Sequence, residues 1–218
     1  MEPRDTTRPD MQRLRIEYEQ LGIDEHDLDP DPFVVFDEWF DGAVAAGISE
    51  PNAMALATVS ADGQPTARMV LLKEVRDRRF VFFTNYGSRK GVELAANPRV
   101  GLLVAWVPLH RQIRIDGVAA RIPADESDRY FSLRPPGARV GGAASPQSQV
   151  IPDREWLEDR ARAIEDRYPD GDVPRPEDWG GYAVTPSSFE FWQGRPNRLH
   201  DRIRYAYRDG WVRERLAP

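Results

Sequence analysis

The sequence predicts an α+β fold, an antiparallel β-barrel with helices around it. Three observations carry this. Between Ala53 and Ile122, short strand-like stretches follow one another at close spacing with brief turns between them. Strand-like stretches return from Gly181 to Arg215, so both ends of the pattern close one sheet. Between and before them lie stretches with the 3.6-residue apolar period of helices.

The elements follow in order. Residues 1–10 are polar and charged and read as a disordered arm, and residues 11–218 read as one domain. Met11 to Leu21 is helical, with Leu14, Tyr18 and Leu21 on one stripe. Asp31 followed by Pro32 is an N-cap with proline at the first helical position. Val35, Phe36, Trp39, Phe40 and Ala43 then give that helix an apolar face. Ala53 to Ser60 is a strand, Ala61-Asp62-Gly63-Gln64 a hairpin turn, and Thr66 to Val75 and Arg79 to Thr84 the next strands. Ser88 to Ala96 is a short helix ended by Asn97-Pro98. Val100 to Val107 and Arg111 to Ile122 are strands, and Asp125 to Leu133 a helix. Pro135 to Ser148 reads as a loop with room for one short helix, and Asp153 to Tyr168 as a helix. A proline-rich link, Pro169 to Trp179, leads to four strands: Gly181–Thr185, Ser188–Trp192, Arg202–Tyr207 and Trp211–Arg215.

Composition narrows the function. The 218 residues, 40% hydrophobic, suffice for a sizeable core. A net charge of −6 argues against general nucleic-acid binding, which needs clustered cations. Basic residues are better sought as local pockets for small anions. The absence of cysteine excludes disulfides, thiolate metal sites and cysteine nucleophiles. His26, His110 and His200 lack metal-ligand spacing, so no metal site is expected. No apolar run approaches the roughly 20 residues of a membrane span, and the start lacks a secretory pattern. A cytoplasmic protein without membrane contact is expected.

Four segments carry chemistry. Arg68-Met69-Val70-Leu71-Leu72-Lys73 sets two cations in an apolar strand, Arg68 on the face of Val70 and Leu72, Lys73 on the other. A cation among apolar residues must find an anion or reach solvent. After the strand ending Phe83-Thr84, the turn Asn85-Tyr86-Gly87 leads into Ser88-Arg89-Lys90-Gly91 at a helix start. Backbone N–H groups and the helix dipole favour an anion there. Two cations in that first turn oppose the dipole unless an anion is present, whereas Ser88 can equally be a plain cap. Neither a P-loop nor a Rossmann glycine fingerprint occurs. Trp192 to Arg202 joins an aromatic strand to a cation-rich loop. Arg198 and His200 suit an anionic or phenolic ligand, and Trp192 a planar ring. Tyr130 and Arg134 lie four apart on one helix face and can clasp a phosphate or simply pack together. Gln112, Gln147 and Ser148 are polar and uncharged, and uninformative by themselves.

Together these segments resemble the pyridoxamine 5'-phosphate oxidase family, from about Met11 to Pro218. The motifs are Arg-Met-Val-Leu-Leu-Lys at 68–73, Phe-Phe-Thr-Asn-Tyr at 82–86, Ser-Arg-Lys-Gly at 88–91 and Arg-Gln at 111–112. Ala-Ser-Pro-Gln-Ser at 144–148, Phe-Trp-Gln-Gly-Arg at 191–195, Arg-Leu-His-Asp-Arg at 198–202 and the ending Glu-Arg-Leu-Ala-Pro follow. Each is weak alone; their joint order and spacing are specific.

The resemblance implies an FMN-binding split barrel, working as a homodimer with flavin between subunits. By matching position, Arg68, Ser88, Arg89 and Lys90 hold FMN, chiefly by its phosphate. Residues Met69, Val70, Leu71, Leu72, Lys73, Phe83 and Thr84 line it. Gln112, Gln147, Ser148, Trp192 and Arg202 surround the rest. Lys73, Tyr130 and Arg134 bind the substrate phosphate, and Arg198, Leu199 and His200 lie at the pyridine ring, with Arg198 and His200 in the catalytic roles. The implied reaction passes a hydride from C4' of pyridoxine 5'-phosphate or pyridoxamine 5'-phosphate to flavin. Dioxygen then takes the electrons, giving hydrogen peroxide and pyridoxal 5'-phosphate. The flavin carries the difficult chemistry, and the protein orients the substrate and balances charge.

The sequence also departs from the family. Where Arg-Gly-Ser-Gln and Gly-Ala-Trp-Ala-Ser are usual, it has Pro136-Gly137-Ala138-Arg139 and Gly141-Gly142-Ala143-Ala144-Ser145. A phosphate-binding serine is thus Ala138, with Arg139 beside it, and a tryptophan is Ala143, which opens space. Arg15-Ile16-Glu17-Tyr18 has isoleucine where a second arginine is common. Two other readings stay open: a related flavin oxidase acting on another substrate such as a dihydrophenazine, and a non-catalytic binder of FMN or pyridoxal phosphate.

Overall fold

The structure, a computed structural model, describes residues 22–218. The expected arm over 1–10, the helix over Met11–Leu21 and the altered motif Arg15–Tyr18 lie outside the described residues.

Among the described residues, nine strands form one curled antiparallel sheet, and five α-helices surround it. The fold is α+β, as the sequence predicts. The strands are β1 (Ala53–Val59), β2 (Pro65–Leu71), β3 (Glu74–Arg76), β4 (Arg79–Asn85), β5 (Arg99–Trp106), β6 (Arg111–Arg121), β7 (Trp179–Gln193), β8 (Asp201–Tyr207) and β9 (Trp211–Arg215). Their order is β2-β1-β5-β6-β7-β4-β3, with β8 on β7 and β9 on β8. The helices are α1 (Pro32–Ala45), α2 (Arg89–Ala96), α3 (Ala124–Ser132), α4 (Pro136–Ala144) and α5 (Arg154–Arg167).

Helix α1 fills the sheet's concave side. Asp31 caps it by accepting from the Phe33 N–H at 3.0 Å. Its stripe Phe33, Val35, Phe36, Trp39 and Ala43 is buried. The Phe36 ring meets Phe80 edge-on at 4.9 Å, and Trp39 meets Phe191 at 5.3 Å. Burying such a side chain contributes roughly 1.5–3 kcal/mol, so these rings fix α1 across β4 and β7. Strands β1, β5 and β6 supply the opposite wall through alternating buried residues, among them Leu56, Leu102 and Ile113.

Three expected strands differ from the structure. The single strand expected over Thr66–Val75 is broken at Leu72-Lys73, because the chain changes partner there. Strand β2 pairs with β1 and β3 with β4. The Leu72 N–H turns back to Asn52 O at 2.8 Å, and the Lys73 N–H goes forward to Val81 O at 2.9 Å. Lys73 therefore sits on a corner rather than within a strand. Conversely, the two strands expected at Gly181–Thr185 and Ser188–Trp192 are one, β7, running through a bulge. Its register with β6 shifts between Asp116 and Gly117, opposite Pro186 and Ser188. Proline has no N–H to give the ladder and is tolerated at a bulge. Gly117 permits the close approach: a Cβ there would lie 2.5 Å from Thr185 O. Trp179, expected to end the link, is the first residue of β7.

The bulge has a topological consequence. Along one edge β7 pairs with β6 from Tyr182 to Gln193, but along the other it pairs with β4 over Trp179–Val184 and with β8 over Ser188–Gln193. The sheet thus divides at mid-strand into two lobes, one carrying β4 and the other β8.

Candidate active site

The β4 lobe carries a cradle of cations. Strand β4 ends in the turn Asn85–Gly87, and Ser88 caps α2. Ser88 is fully buried; its hydroxyl donates to Asn85 O at 2.7 Å and accepts from the Gly91 N–H at 3.3 Å. Of the two roles open to Ser88 the structure thus displays the cap. Gly91 lets this turn close, since a Cβ there would fall 2.2 Å from Tyr86 O. Arg89 and Lys90 follow in the first turn. Arg68 reaches the same place from β2: its Nη1 donates to Leu56 O at 3.1 Å and its Nη2 to Glu93 Oε2 at 3.0 Å. Arg68 and Val70 are half-buried on the face expected, while Met69, Leu71 and Lys73 are exposed on the other.

Three cations here face one carboxylate, that of Glu93. Burial pushes the Glu93 carboxyl up, but bonds from Thr58, Thr66, Arg89 and Arg68 outweigh it and hold its pKa at about 2. Burial lowers the Lys90 ammonium pKa, and the charge of Arg68 lowers it further against the pull of Glu93. The surplus of positive charge at a helix N-terminus fits a phosphate.

A cavity of about 320 Å³ opens beside the cradle, lined by Met69, Val70, Leu71, Lys73, Phe83, Thr84, Lys90, Tyr130, Arg134, Gln147 and Trp179. Lys90 Nζ donates to Gln147 Oε1 at 2.8 Å, and Thr84 Oγ1 to the same oxygen at 3.2 Å. These bonds bring the 145–148 segment onto β4. Ser148 beside it has a φ of 72°, a left-handed conformation that serine seldom adopts. Tyr130 stacks on Phe83 at 3.8 Å, and the Arg134 guanidinium lies 4.8 Å from the Trp179 ring. Arg134 Nη1 is buried with no hydrogen-bond partner. Burial lowers its pKa. A buried guanidinium N–H without an acceptor is costly. The cavity thus joins a stacked aromatic wall to the cationic side chains of Lys73, Lys90 and Arg134.

The β8 lobe carries the remaining expected residues. Gln112, Trp192 and Arg202 are cross-strand neighbours on β6, β7 and β8. Arg202 donates to the buried Glu190 at 2.8 Å and to Ala217 O at 2.9 Å. A 3-10 turn over Pro196–Arg198 precedes Leu199 and His200, and Asn197 and Arg198 both have positive φ, 56° and 61°. The His200 ring lies 4.7 Å from that of Trp192. Its Nδ1 accepts the Arg195 N–H at 3.1 Å, so the neutral ring carries its proton on Nε2. Burial and the neighbouring Arg198 charge lower the His200 pKa against the pull of Asp201.

The replaced residues lie on α4. Ala138 is in its first turn, and Arg139 Nη1 lies 3.5 Å from Asp172 with its Nε buried and unpartnered. Ala143 borders a cavity of about 140 Å³ with Asn85, Gln147, Arg160 and Asp178, the space expected where tryptophan is missing.

Comparison with known proteins agrees with this geometry. The family model described as pyridoxamine 5'-phosphate oxidase matches residues 40–168, and that described as pyridoxine 5'-phosphate oxidase C-terminal dimerisation region matches 179–218. The chain belongs to the pyridoxamine 5'-phosphate oxidase family. Curated members of this family similar to it include the pyridoxine/pyridoxamine 5'-phosphate oxidase of Burkholderia multivorans, 56% identical over 94% of this chain and 97% of that one. The one from a Cyanothece species is 54% identical over the same shares. Among solved structures, PhzG from Burkholderia lata, in complex with tetrahydrophenazine-1-carboxylic acid, superposes with a TM-score of 0.86. It is 31% identical and covers 92% of this chain and 98% of its own. A pyridoxamine 5'-phosphate oxidase-related, FMN binding protein from Nostoc punctiforme shares the fold, with a TM-score of 0.68 at 16% identity over 88% of this chain and all of its own. This oxidase-family chain therefore has the split-barrel architecture expected.

Sequence reasoning missed Glu93, Glu190 and Trp179. Glu93 had one local signal, its place four residues after Arg89 on a helix. Glu190 and Trp179 had none, because their partners come from elements distant in sequence: Arg202 for Glu190, and Phe83, Tyr130 and Arg134 for Trp179.

Proposed function

We propose that the chain is an FMN-dependent oxidase converting pyridoxine 5'-phosphate and pyridoxamine 5'-phosphate to pyridoxal 5'-phosphate, with dioxygen as acceptor and hydrogen peroxide as product. The observation that carries this is the β4-lobe cavity, where the Lys90 cradle and the unpartnered Arg134 Nη1 mark two anion positions beside one stacked aromatic wall. FMN bound there would supply a hydride acceptor that dioxygen can reoxidise.

The chain's own residues bind and orient. Arg68, Arg89 and Lys90 receive the cofactor phosphate; Lys73, Tyr130 and Arg134 receive the substrate phosphate. Arg198 and His200 flank the ring whose C4' loses hydride. The alcohol yields the aldehyde once its hydroxyl proton leaves. The amine yields an imine, which water converts to the aldehyde and ammonia. Gln112, Gln147, Ser148, Trp192 and Arg202 enclose the flavin.

The working unit is a homodimer of cytoplasmic chains, with residues 11–218 of each acting as one domain. Trp179 in the cavity and Trp192 in the other cluster are 13 positions apart on β7, roughly 40 Å along an extended strand. That separation along the strand, together with the dimerisation region of the family model, supports a second cluster supplied by a partner copy.

The likeness to PhzG and the cavity beside Ala143 favour a second reading, oxidation of a reduced phenazine. The deciding experiment supplies FMN-loaded protein and air with pyridoxine 5'-phosphate, pyridoxamine 5'-phosphate or a dihydrophenazine carboxylate. Pyridoxal 5'-phosphate and peroxide in equal amounts from the first two are expected. Turnover of the phenazine alone would replace the proposal with the second reading.

A further inference from the structure

One buried carboxylate lies beneath the cation cradle. Glu93 is on α2, one turn after Arg89, and is 4% exposed. Its Oε2 accepts from Thr58 Oγ1 at 2.5 Å, Thr66 Oγ1 at 2.7 Å and Arg68 Nη2 at 3.0 Å, and its Oε1 from Arg89 Nε at 2.9 Å. Two strands and a helix thus converge on a single side chain.

We propose that Glu93 is a positioning residue for the cofactor phosphate, fixing the guanidinium groups of Arg68 and Arg89 in their receiving orientation before the phosphate arrives. The inference rests on the FMN reading above and deepens it.

Three features support it. Arg68 is held at both terminal nitrogens, Nη1 by Leu56 O and Thr58 Oγ1, Nη2 by Thr66 Oγ1 and Glu93, so its plane is fixed. Arg89 is held at Nε, the inner nitrogen, and 61% of its side chain stays exposed. Glu93 therefore grips Arg89 without enclosing it, whereas Arg68, with its four terminal N–H groups engaged, keeps only its Nε–H and its charge for the phosphate. Next, like charges gathered around one helix start repel and turn outward unless a counter-ion holds them. Glu93 neutralises one of the three cations and leaves the surplus for a phosphate. Lys90 turns instead to Gln147 and Ser88. Lastly, the strands do not need Glu93 for their register. Thr58 and Thr66 are already partners in the β1–β2 ladder, which the backbone sets.

A carboxylate so near a phosphate has two opposed effects. Its charge weakens anion binding, and its grip on the arginines strengthens it by cutting the ordering cost on binding. The proposal is that orientation wins. Glu93→Gln separates them, because it removes the charge and keeps the shape, while its amide offers donors where acceptors are needed.

The test titrates flavin-free protein with FMN and with riboflavin, which has the ring but no phosphate, following flavin fluorescence. Wild type, Glu93→Gln and Thr66→Val are compared. Thr66→Val removes one bond to Glu93 and one to Arg68 while keeping a β-branched strand residue. Glu93→Gln is expected to weaken FMN about ten- to a hundredfold, as losing a charge-assisted bond does, with riboflavin affinity unchanged. Thr66→Val is expected to move FMN the same way by less, and it decides the matter should Glu93→Gln fail to fold. An FMN-to-riboflavin affinity ratio that stays level or rises overturns the positioning role. Wild-type protein that binds neither flavin overturns the cofactor reading itself, a distinct result.

Discussion

Trp179 and Trp192 stand at opposite ends of one strand, β7, and each marks a different half of the site. Trp179 borders the cavity of Lys90, Tyr130 and Arg134, whereas Trp192 pairs with Gln112 and Arg202 and meets His200. The bulge at Pro186 lets a single strand serve both lobes.

If each flavin takes one half from each of two copies, defects in different halves complement. Arg68→Ala and Arg202→Ala are each expected to lose nearly all activity. Mixing them in equal amounts under conditions of subunit exchange should restore about a quarter of wild-type activity, since half the dimers are hybrids and each hybrid has one intact site. Steady-state rates before and after mixing read this directly. No recovery, with hybrid dimers shown by differently tagged chains, would place both halves in one chain.

Ala138→Ser should tighten the substrate. Ala138 lies on α4, where the family resemblance implies a phosphate-binding serine, and Nη1 of Arg134 nearby in sequence is buried without a hydrogen-bond partner. A new hydrogen bond to a charged group contributes roughly 1.5–3 kcal/mol. The dissociation constant for the product pyridoxal 5'-phosphate, which carries the same phosphate as the substrate, should fall about ten- to a hundredfold, as read by flavin absorbance changes. An unchanged constant would mean that Arg139 or water fills the place.

His200 should set an acid limb in the pH profile below its ordinary value. Its pKa is lowered from 6.5 by burial and Arg198, and the bond from the Arg195 N–H to Nδ1 must break for that nitrogen to be protonated. The acid limb in kcat/KM for pyridoxine 5'-phosphate should therefore lie below the ordinary histidine range. His200→Asn should abolish that limb. The same limb in the variant would assign it elsewhere.

Glu93 should matter for stability above its unfolded pKa and progressively less below it. Its folded pKa of about 2 lies under the ordinary 4.5, so its contribution is complete above 4.5 and is lost as pH falls toward 2. The difference in melting temperature between wild type and Glu93→Gln should shrink over that window. A difference that grows with acid would reverse the sign of the assignment.

Much of this architecture was legible in the sequence because its causes are local. Asp31-Pro32 announces α1, and Trp211 to Arg215 forms β9 with the expected bounds. The exceptions are non-local. Whether Leu72-Lys73 continues a strand depends on which neighbour offers a carbonyl, here Asn52 on one side and Val81 on the other. Whether Pro186 ends a strand or bulges it depends on β6 staying paired across the gap. The cations of the cradle stood out by type, but the carboxylate that organises them did not, since Thr58, Thr66, Arg68 and Glu93 meet only once two strands and a helix are packed.

The most direct measurement is anaerobic mixing of FMN-loaded protein with pyridoxine 5'-phosphate or pyridoxamine 5'-phosphate, watching the flavin absorbance. The account predicts rapid bleaching, reversed by air, with pyridoxal 5'-phosphate formed in proportion to the flavin reduced. Flavin that stays oxidised at saturating concentrations of both substrates would contradict it.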